Sequence, residues 1–148
     1  MTTNKYNYLK TVNLQPSECN LCGGMVVYTS NSLVYGQEHG SGKMYYCTSC
    51  KAYVGTHKDR PTIALGILAD RQMREMKHNC HEVFDRRWQS AKTLEERKAR
   101  RRLMYKRLAD KLEIPVEHCH FGYFNTELLK KAYAVLTSQD FIPEIKQE

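Results

Sequence analysis

Long apolar runs are missing from this chain: nowhere does it hold the roughly 18 consecutive apolar residues that a membrane-spanning helix requires. A helical membrane protein is therefore excluded. The opening stretch, MTTNKYNYLKTVNLQP, also lacks the apolar core that precedes signal cleavage, so the expectation is a cytoplasmic chain rather than a secreted one. No Gly-rich phosphate loop, nucleophile elbow or paired-carboxylate motif is present, and no internal repeat or low-complexity tract. Acidic residues are scarce as well: 16 Asp and Glu stand against 23 Lys and Arg, a formal charge of +7. What is present is a globular share of hydrophobic residues, 41%, which removes wholesale disorder. At 148 residues the chain is one domain, or a small module joined to a helical half.

The excess charge is local. Residues 1–67 carry a net +3, residues 68–111 a net +7 and residues 112–148 a net −3. Within the middle segment the run RKARRRLMYKRLADK holds eight bases, Arg97, Lys98, Arg100, Arg101, Arg102, Lys106, Arg107 and Lys111, against the single acid Asp110. A solvated helix face normally interleaves both signs for support between residues four apart. Here the acids sit only at the front, in Glu95 and Glu96. A clustered basic stripe is also the electrostatic footprint of phosphate binding, and the two readings stand side by side.

Strand and turn signals fill the first third. MVVYT and KMYYC are rich in β-formers, Gly23-Gly24 and GQEHGSGK are turn chemistry, and KAYVGTH alternates before Pro61. After Pro61 the pattern changes to spacings of three and four: Leu65, Ala69, Met73, Met76, Cys80, Val83, Phe84 and Trp88 share one face. This predicts a long amphipathic helix beginning at Ile63 or Ala69 and ending near Trp88. Thr93 followed by Glu95 and Glu96 predicts a second helix, running to about Leu112 with Leu103, Met104, Leu108 and Leu112 inward. HCHFGYF reads as a loop, and Asn125 as the cap of a third helix carrying Leu128, Leu129, Ala132, Val135 and Leu136. The expected class is α+β: a tail over 1–13, a small β zinc ribbon over 14–62 and about three α-helices over 63–148, the last two forming one compact unit.

Six cysteines in a chain with a cytoplasmic address read as metal ligands or free thiols, because cytosolic thiol pools oppose disulfides. Cys19-Asn-Leu-Cys22 and Cys47-Thr-Ser-Cys50 form two Cys-x-x-Cys pairs separated by 24 residues, the spacing of a four-cysteine zinc site. Four thiolates close the tetrahedron and leave no position for water. The expected ion is thus structural, one Zn²⁺ substituting for a core that about 50 residues cannot build alone. Iron shares the four-sulfur geometry and spacing does not separate the two.

Other polar groups carry weaker signals. His57, His78, His81, Asp85 and His120 are candidates for a second polar site, and the last four suggest a metal-dependent nuclease in which an ion activates water. The plainer reading is that Cys80 and Cys119 are small buried hydrophobes and that the histidines brace the fold. Around the ribbon, Tyr28, Tyr35, Tyr45, Tyr46 and Tyr53, with Lys43, Lys51, Lys58 and Arg60, suit either base stacking beside phosphate-binding cations or ordinary strand packing.

The segments CNLCGGMVVYTS, YYCTSCKAYVGTH, ALGILADRQMREMKHNCHEVFD and YKRLADKLEIPVEHCHFGYF resemble a small family found in phages and prophages, the zinc-finger-containing domain family. The likeness spans roughly Cys19 to Phe124 and rests on the four-cysteine ribbon, an Ala-Tyr-Val-Gly-x-His run, a His-x-x-Phe-Asp helix end and a late His-Phe-Gly segment. It implies that Cys19, Cys22, Cys47 and Cys50 are the ligands, and it singles out Gly55, His57, His81, Asp85 and His120 without giving them a role. It implies no activity. What it implies is a viral accessory protein acting in a bacterial cytoplasm on nucleic acid or on a host protein.

Three functions are in play. The leading expectation is non-catalytic binding of DNA or RNA through Arg97, Lys98, Arg100, Arg101, Arg102, Lys106 and Arg107, with Lys43, Lys51 and Lys58 along the ribbon edge. The rivals are an inhibitor or modulator that docks on an acidic host protein, and the nuclease. No membrane partner is expected.

Overall fold

The structure is a computed structural model that describes residues 12–141, so the tail expected over 1–13 lies outside the described residues except for Val12 and Asn13. Among the described residues the class is α+β: one three-stranded antiparallel sheet and four α-helices. Two compact units divide it, one running to Arg74 and the other starting at Glu75.

In the first unit, strand β1 (Val26–Ser30), β2 (Lys43–Cys47) and β3 (Tyr53–Gly55) follow in the order β1-β2-β3. Each is rich in the β-branched and aromatic side chains that fit a pleated surface. Pairing sets Val26 opposite Cys47, Tyr28 opposite Tyr45 and Tyr46 opposite Tyr53. Between β1 and β2 lies a short helix, α1 (Ser32–Tyr35), just before the GQEHGSGK turn and in a part of the chain read as strands and turns only. It ends on Gly36 at φ 81°, a left-handed conformation that needs no Cβ. Asn31 clasps the loop behind it, since its side chain donates to the His39 carbonyl at 2.7 Å and accepts from the His39 N–H at 3.1 Å. The core of this unit collects Cys19, Val26, Tyr45, Cys47, Ala52, Val54, Ala64 and Leu68.

The segment after Pro61 corrects the helix start expected at Ile63 or Ala69. Residues 63–69 pass beside β3 through two isolated bridges, at Ala64 and Ala69, with a bend between them: the His57 N–H bonds the Ile63 carbonyl, the Leu65 N–H bonds the Gly55 carbonyl, and Tyr53 and Ala69 exchange both backbone bonds. Ala64 and then Gly66, Ile67, Leu68 and Ala69 are buried while Leu65 is exposed, which is the mark of an enclosed run. Short apolar runs of this length do not distinguish a buried strand from a helix by period. The backbone donors already satisfied by β3 decide it. The helix α2 (Arg71–Gln89) begins only after Asp70, whose carboxylate accepts the Met73 N–H at 2.8 Å.

In the second unit the remainder of α2 is followed by α3 (Leu94–Leu112) and α4 (Thr126–Leu136), the three helices expected there. Both predicted caps form. Thr93 Oγ1 accepts the Glu96 N–H at 3.1 Å, and Asn125 Oδ1 accepts the Leu128 N–H at 2.9 Å. The loop between α3 and α4 contains two 3-10 turns, Val116–His118 and Phe121–Tyr123, which fold Cys119, Phe121 and Phe124 inward. Phe84, Phe121 and Phe124 then pack edge to face at centroid distances of 5.6 and 5.8 Å. Met104, Leu108, Leu112, Leu128, Leu129 and Leu136 close the core around them, each worth about 1.5–3 kcal/mol of burial.

One charge is buried in this unit. Arg87 is 8% exposed, its guanidinium lies 5.6 Å from the Phe141 ring, and its Nη1 has no hydrogen-bond partner. Loss of solvation lowers its pKa. Replacing such a group by an apolar side chain of similar length is commonly neutral or stabilising. Arg87→Met is expected to leave the melting temperature unchanged or raise it, as read by thermal unfolding followed by circular dichroism.

Candidate metal centre and basic helix

The two Cys-x-x-Cys segments fold alike. In each, the first cysteine donates its N–H to a carbonyl five residues on, Cys19 to Gly24 and Cys47 to Ala52, and accepts from the N–H four residues on, Gly23 to Cys19 and Lys51 to Cys47. The residue after the second cysteine sits in the left-handed region in both, Gly23 at φ 76° and Lys51 at φ 69°. This tight turn aims backbone N–H groups at sulfur: Leu21 at Cys19, Gly24 at Cys22 and Cys50 at Cys47, all within 3.3–3.4 Å.

The two turns meet. All four Sγ atoms lie within 4.8 Å of one another, with Cys19 to Cys50 at 3.7 Å and Cys22 to Cys47 at 3.5 Å. A disulfide needs sulfurs about 2.05 Å apart, so all four remain free thiols. A zinc tetrahedron with about 2.3 Å bonds has sulfur–sulfur edges of about 3.8 Å, and the observed separations suit it. Cys19 and Cys47 are buried and Cys22 and Cys50 face outward. Hydrogen bonding to the Cys50 N–H, with the Ser49 N–H adding to it, outweighs burial and draws the Cys47 thiol down to about 6. The Gly24 N–H pulls Cys22 the same way, but hydrogen bonds with Cys47 and Cys50 prevail and its pKa rises.

Two residues outside the expected ligand set hold this arrangement. A Cβ on Gly24 would stand 2.6 Å from Ser49 Oγ, 2.7 Å from Ser49 Cβ and 3.1 Å from Cys47 Sγ. Glycine there permits the two turns to close on each other. Asn20, inside the first turn, donates to the Leu68 carbonyl at 3.0 Å and accepts from the Leu68 N–H at 2.9 Å, tying the centre to the run after β3. A glycine doublet was the visible signal for the first; nothing in sequence spacing marks the second.

The remaining polar candidates are engaged separately. His57 uses its N–H on Ile63 in the first unit. In the second unit, exposed His78 lies 3.7 Å from Glu82, Asp85 accepts the Trp88 indole N–H at 2.8 Å, His81 packs edge-on against Phe121 at 4.7 Å, and His120 against Tyr123 at 4.8 Å. Reduced solvation holds His81 and His120 below the ordinary histidine value. Among the described residues, the four cysteines are the group of His, Cys, Asp or Glu donors close enough to share an ion. Cys80 and Cys119 are core thiols, pushed up by burial to about 11 and about 12.

The sheet divides the ribbon tyrosines. Tyr28 and Tyr45 pair on one face, with ring centroids 5.1 Å apart and hydroxyls bonded to Pro61 and Thr62, while Tyr46 and Tyr53 pair on the other. Tyr53 carries the Arg74 guanidinium at 4.0 Å and the edge of Tyr35 at 6.3 Å. Lys51 and Lys58 are exposed and Lys43 is half-buried.

The bases of α3 also separate into groups. Arg97 Nε donates to the Ala91 carbonyl at 2.9 Å, and Arg100 Nη1 to the Arg87 carbonyl at 3.1 Å and to Ser90 Oγ at 2.8 Å. These two brace the turn between α2 and α3, where carbonyls at a helix C-terminus lack intrahelical partners and attract positive charge. Lys98, Arg101, Arg102, Lys106 and Arg107 are exposed. Arg101 lies 5.0 Å over the Tyr105 ring and 6.0 Å from Trp88.

Two outcomes follow. Cys47→Ser is expected to lose bound zinc, from one ion per chain to less, and to melt the ribbon; elemental analysis with circular dichroism checks this, and a variant with unchanged melting would show that the centre is not structural. Gly24→Ala is expected to weaken zinc retention against a chelator about tenfold or more while leaving all four ligands in place.

A family model described as a zinc-finger-containing domain matches residues 15–139. No curated protein and no solved structure matches the chain. The matched span takes in both cysteine turns and all three long helices, and the chain belongs to the zinc-finger-containing domain family.

Proposed function

We propose that this chain is a phage-type zinc-ribbon accessory protein that binds nucleic acid without catalysis, and that Cys19, Cys22, Cys47 and Cys50 hold one structural Zn²⁺. The observation that carries the binding reading is the cluster of Lys98, Arg101, Arg102 and Lys106 exposed on one helix beside two arginines already committed to the fold. A helix that keeps several cations in solvent, with acids only in its first turn and at Asp110, presents a field suited to phosphates. Lys51 and Lys58 extend the positive surface available on the ribbon. The reading is non-catalytic because four thiolates complete a zinc shell and leave no place for an activated water.

A second reading, a modulator of a host protein, draws on the apolar groups the ribbon leaves in solvent: Met25 at 65%, Leu33 at 60% and Tyr35 at 51% exposure.

Binding of the zinc-loaded protein to duplex DNA, single-stranded DNA and RNA across a salt series tests the first reading. Affinity is expected to fall steeply with salt, and joint replacement of Arg101, Arg102 and Lys106 by Ala should lower the log–log slope by about 3. Arg100→Ala should act chiefly on melting temperature. Absence of retention at low salt for all three polymers overturns nucleic-acid binding.

A further inference from the structure

The second unit carries a groove of about 520 Å³ between α3 and the turn that follows it, lined by Arg101, Arg102, Tyr105, Lys106, Val116, Glu117, Cys119 and His120. Its composition is layered. Tyr105, half-buried against Phe84 at 4.5 Å, and the buried Cys119 form an apolar floor. Arg101, Arg102 and Lys106 stand exposed around it, with Glu117 as the one acid. Arg101 and Tyr105 are four residues apart, as are Arg102 and Lys106, so two adjacent helical rows supply the whole α3 wall. The Arg101 guanidinium is held over Tyr105 and near Trp88 by its cation–π contacts, which fixes a planar cation before any ligand arrives.

We propose that this groove takes one nucleotide of a single-stranded nucleic acid, its base stacking on the outer face of the Arg101 guanidinium that already covers Tyr105 and its phosphates on Arg102 and Lys106. The inference rests on the nucleic-acid reading above and gives it a site and a strand type. Duplexes keep their bases stacked inside and present phosphates on a convex surface, so they touch cations without entering a concave site. An unpaired strand can splay a base into a nucleotide-sized recess, where planar aromatic and guanidinium groups receive it regardless of sequence. A plain polyanion would use the rim alone and leave the floor empty. The bases number three against one acid, so the groove is net positive and complementary to phosphate.

Val116 permits a test that leaves every charge in place. It is 51% exposed on the wall opposite α3, in a short turn where a larger side chain has solvent to occupy. The full-length zinc-loaded protein, Val116→Trp and the control Val116→Ala are titrated with a labelled twelve-residue oligothymidylate, with polyglutamate as competitor and with circular dichroism confirming the fold of each. Filling the groove is expected to weaken oligothymidylate binding about tenfold, with the salt slope retained; Val116→Ala should bind as the parent does, and polyglutamate should compete poorly. Equal affinity of Val116→Trp and parent, or equal competition by polyglutamate, overturns the groove and leaves charge-driven nucleic-acid binding standing. Failure of the parent itself to bind any strand overturns both. If Val116→Trp does not fold, Val116→Tyr takes its place under the same criteria.

Discussion

Convergence of four thiols is the constraint on which the ribbon is built. Two turns from distant parts of the sequence must present their sulfurs within 4.8 Å of one another, and the adjacent structure accommodates that requirement. β2 ends on Cys47, the first cysteine of the second turn; Gly24 permits the turns to close; Asn20 anchors the first turn to the backbone of Leu68. A three-stranded sheet of this size has little apolar area to offer against chain entropy. Structural zinc in small domains contributes about 10–16 kcal/mol, as much as the whole net stability of an ordinary domain, so an ion here would decide whether the ribbon folds. The two turns are near repeats of each other down to their hydrogen bonds, although one has glycine and the other lysine in the left-handed position. Lys51 is held in that conformation with its N–H bonded to the Cys47 carbonyl at 3.0 Å.

The second unit rests on a different balance. Its core is aromatic and aliphatic, and its principal polar device is the use of arginine on carbonyls that a helix end leaves unpaired. Arg97 and Arg100 are taken up in this way, joining α3 to the end of α2. The basic run therefore has two functions that a charge count merges: part of it caps a neighbour, and part of it faces solvent. Arginine suits both, since its fork of donors satisfies a carbonyl at one site and its plane stacks on tyrosine at another.

Much of the molecule was legible in advance, and for identifiable reasons. The cysteine spacing specifies a closed four-sulfur centre because ligand geometry is local and chemically narrow. Thr93 and Asn125 announced α3 and α4, since a cap is a bond between residues two or three apart. The run TIALGILAD was misleading because its apolar spacing fits a helix face while its backbone donors go to Gly55 and Tyr53 of β3, to Leu14 and to Asn20, partners that periodicity does not record. The ribbon tyrosines suited either a stacking platform or strand packing; alternation sends Tyr28 and Tyr45 to one face of the sheet and Tyr46 and Tyr53 to the other, while Tyr35 lies on α1.

The amino-acid sequence by itself determined the four cysteines that could hold a metal ion, the class of fold, the capped helices and the position of the positive charge, all of which depend on residue chemistry or on neighbours within a turn. Tertiary structure alone decided which arginines remain in solvent, that Gly24 rather than Gly23 governs the closing of the two turns, that Asn20 anchors the first of them, and that Tyr105, Cys119 and Val116 meet three cations around one groove. Those outcomes depend on distances between groups far apart in the chain. Such distances arise only when burial and hydrogen bonding bring the backbone into its final path.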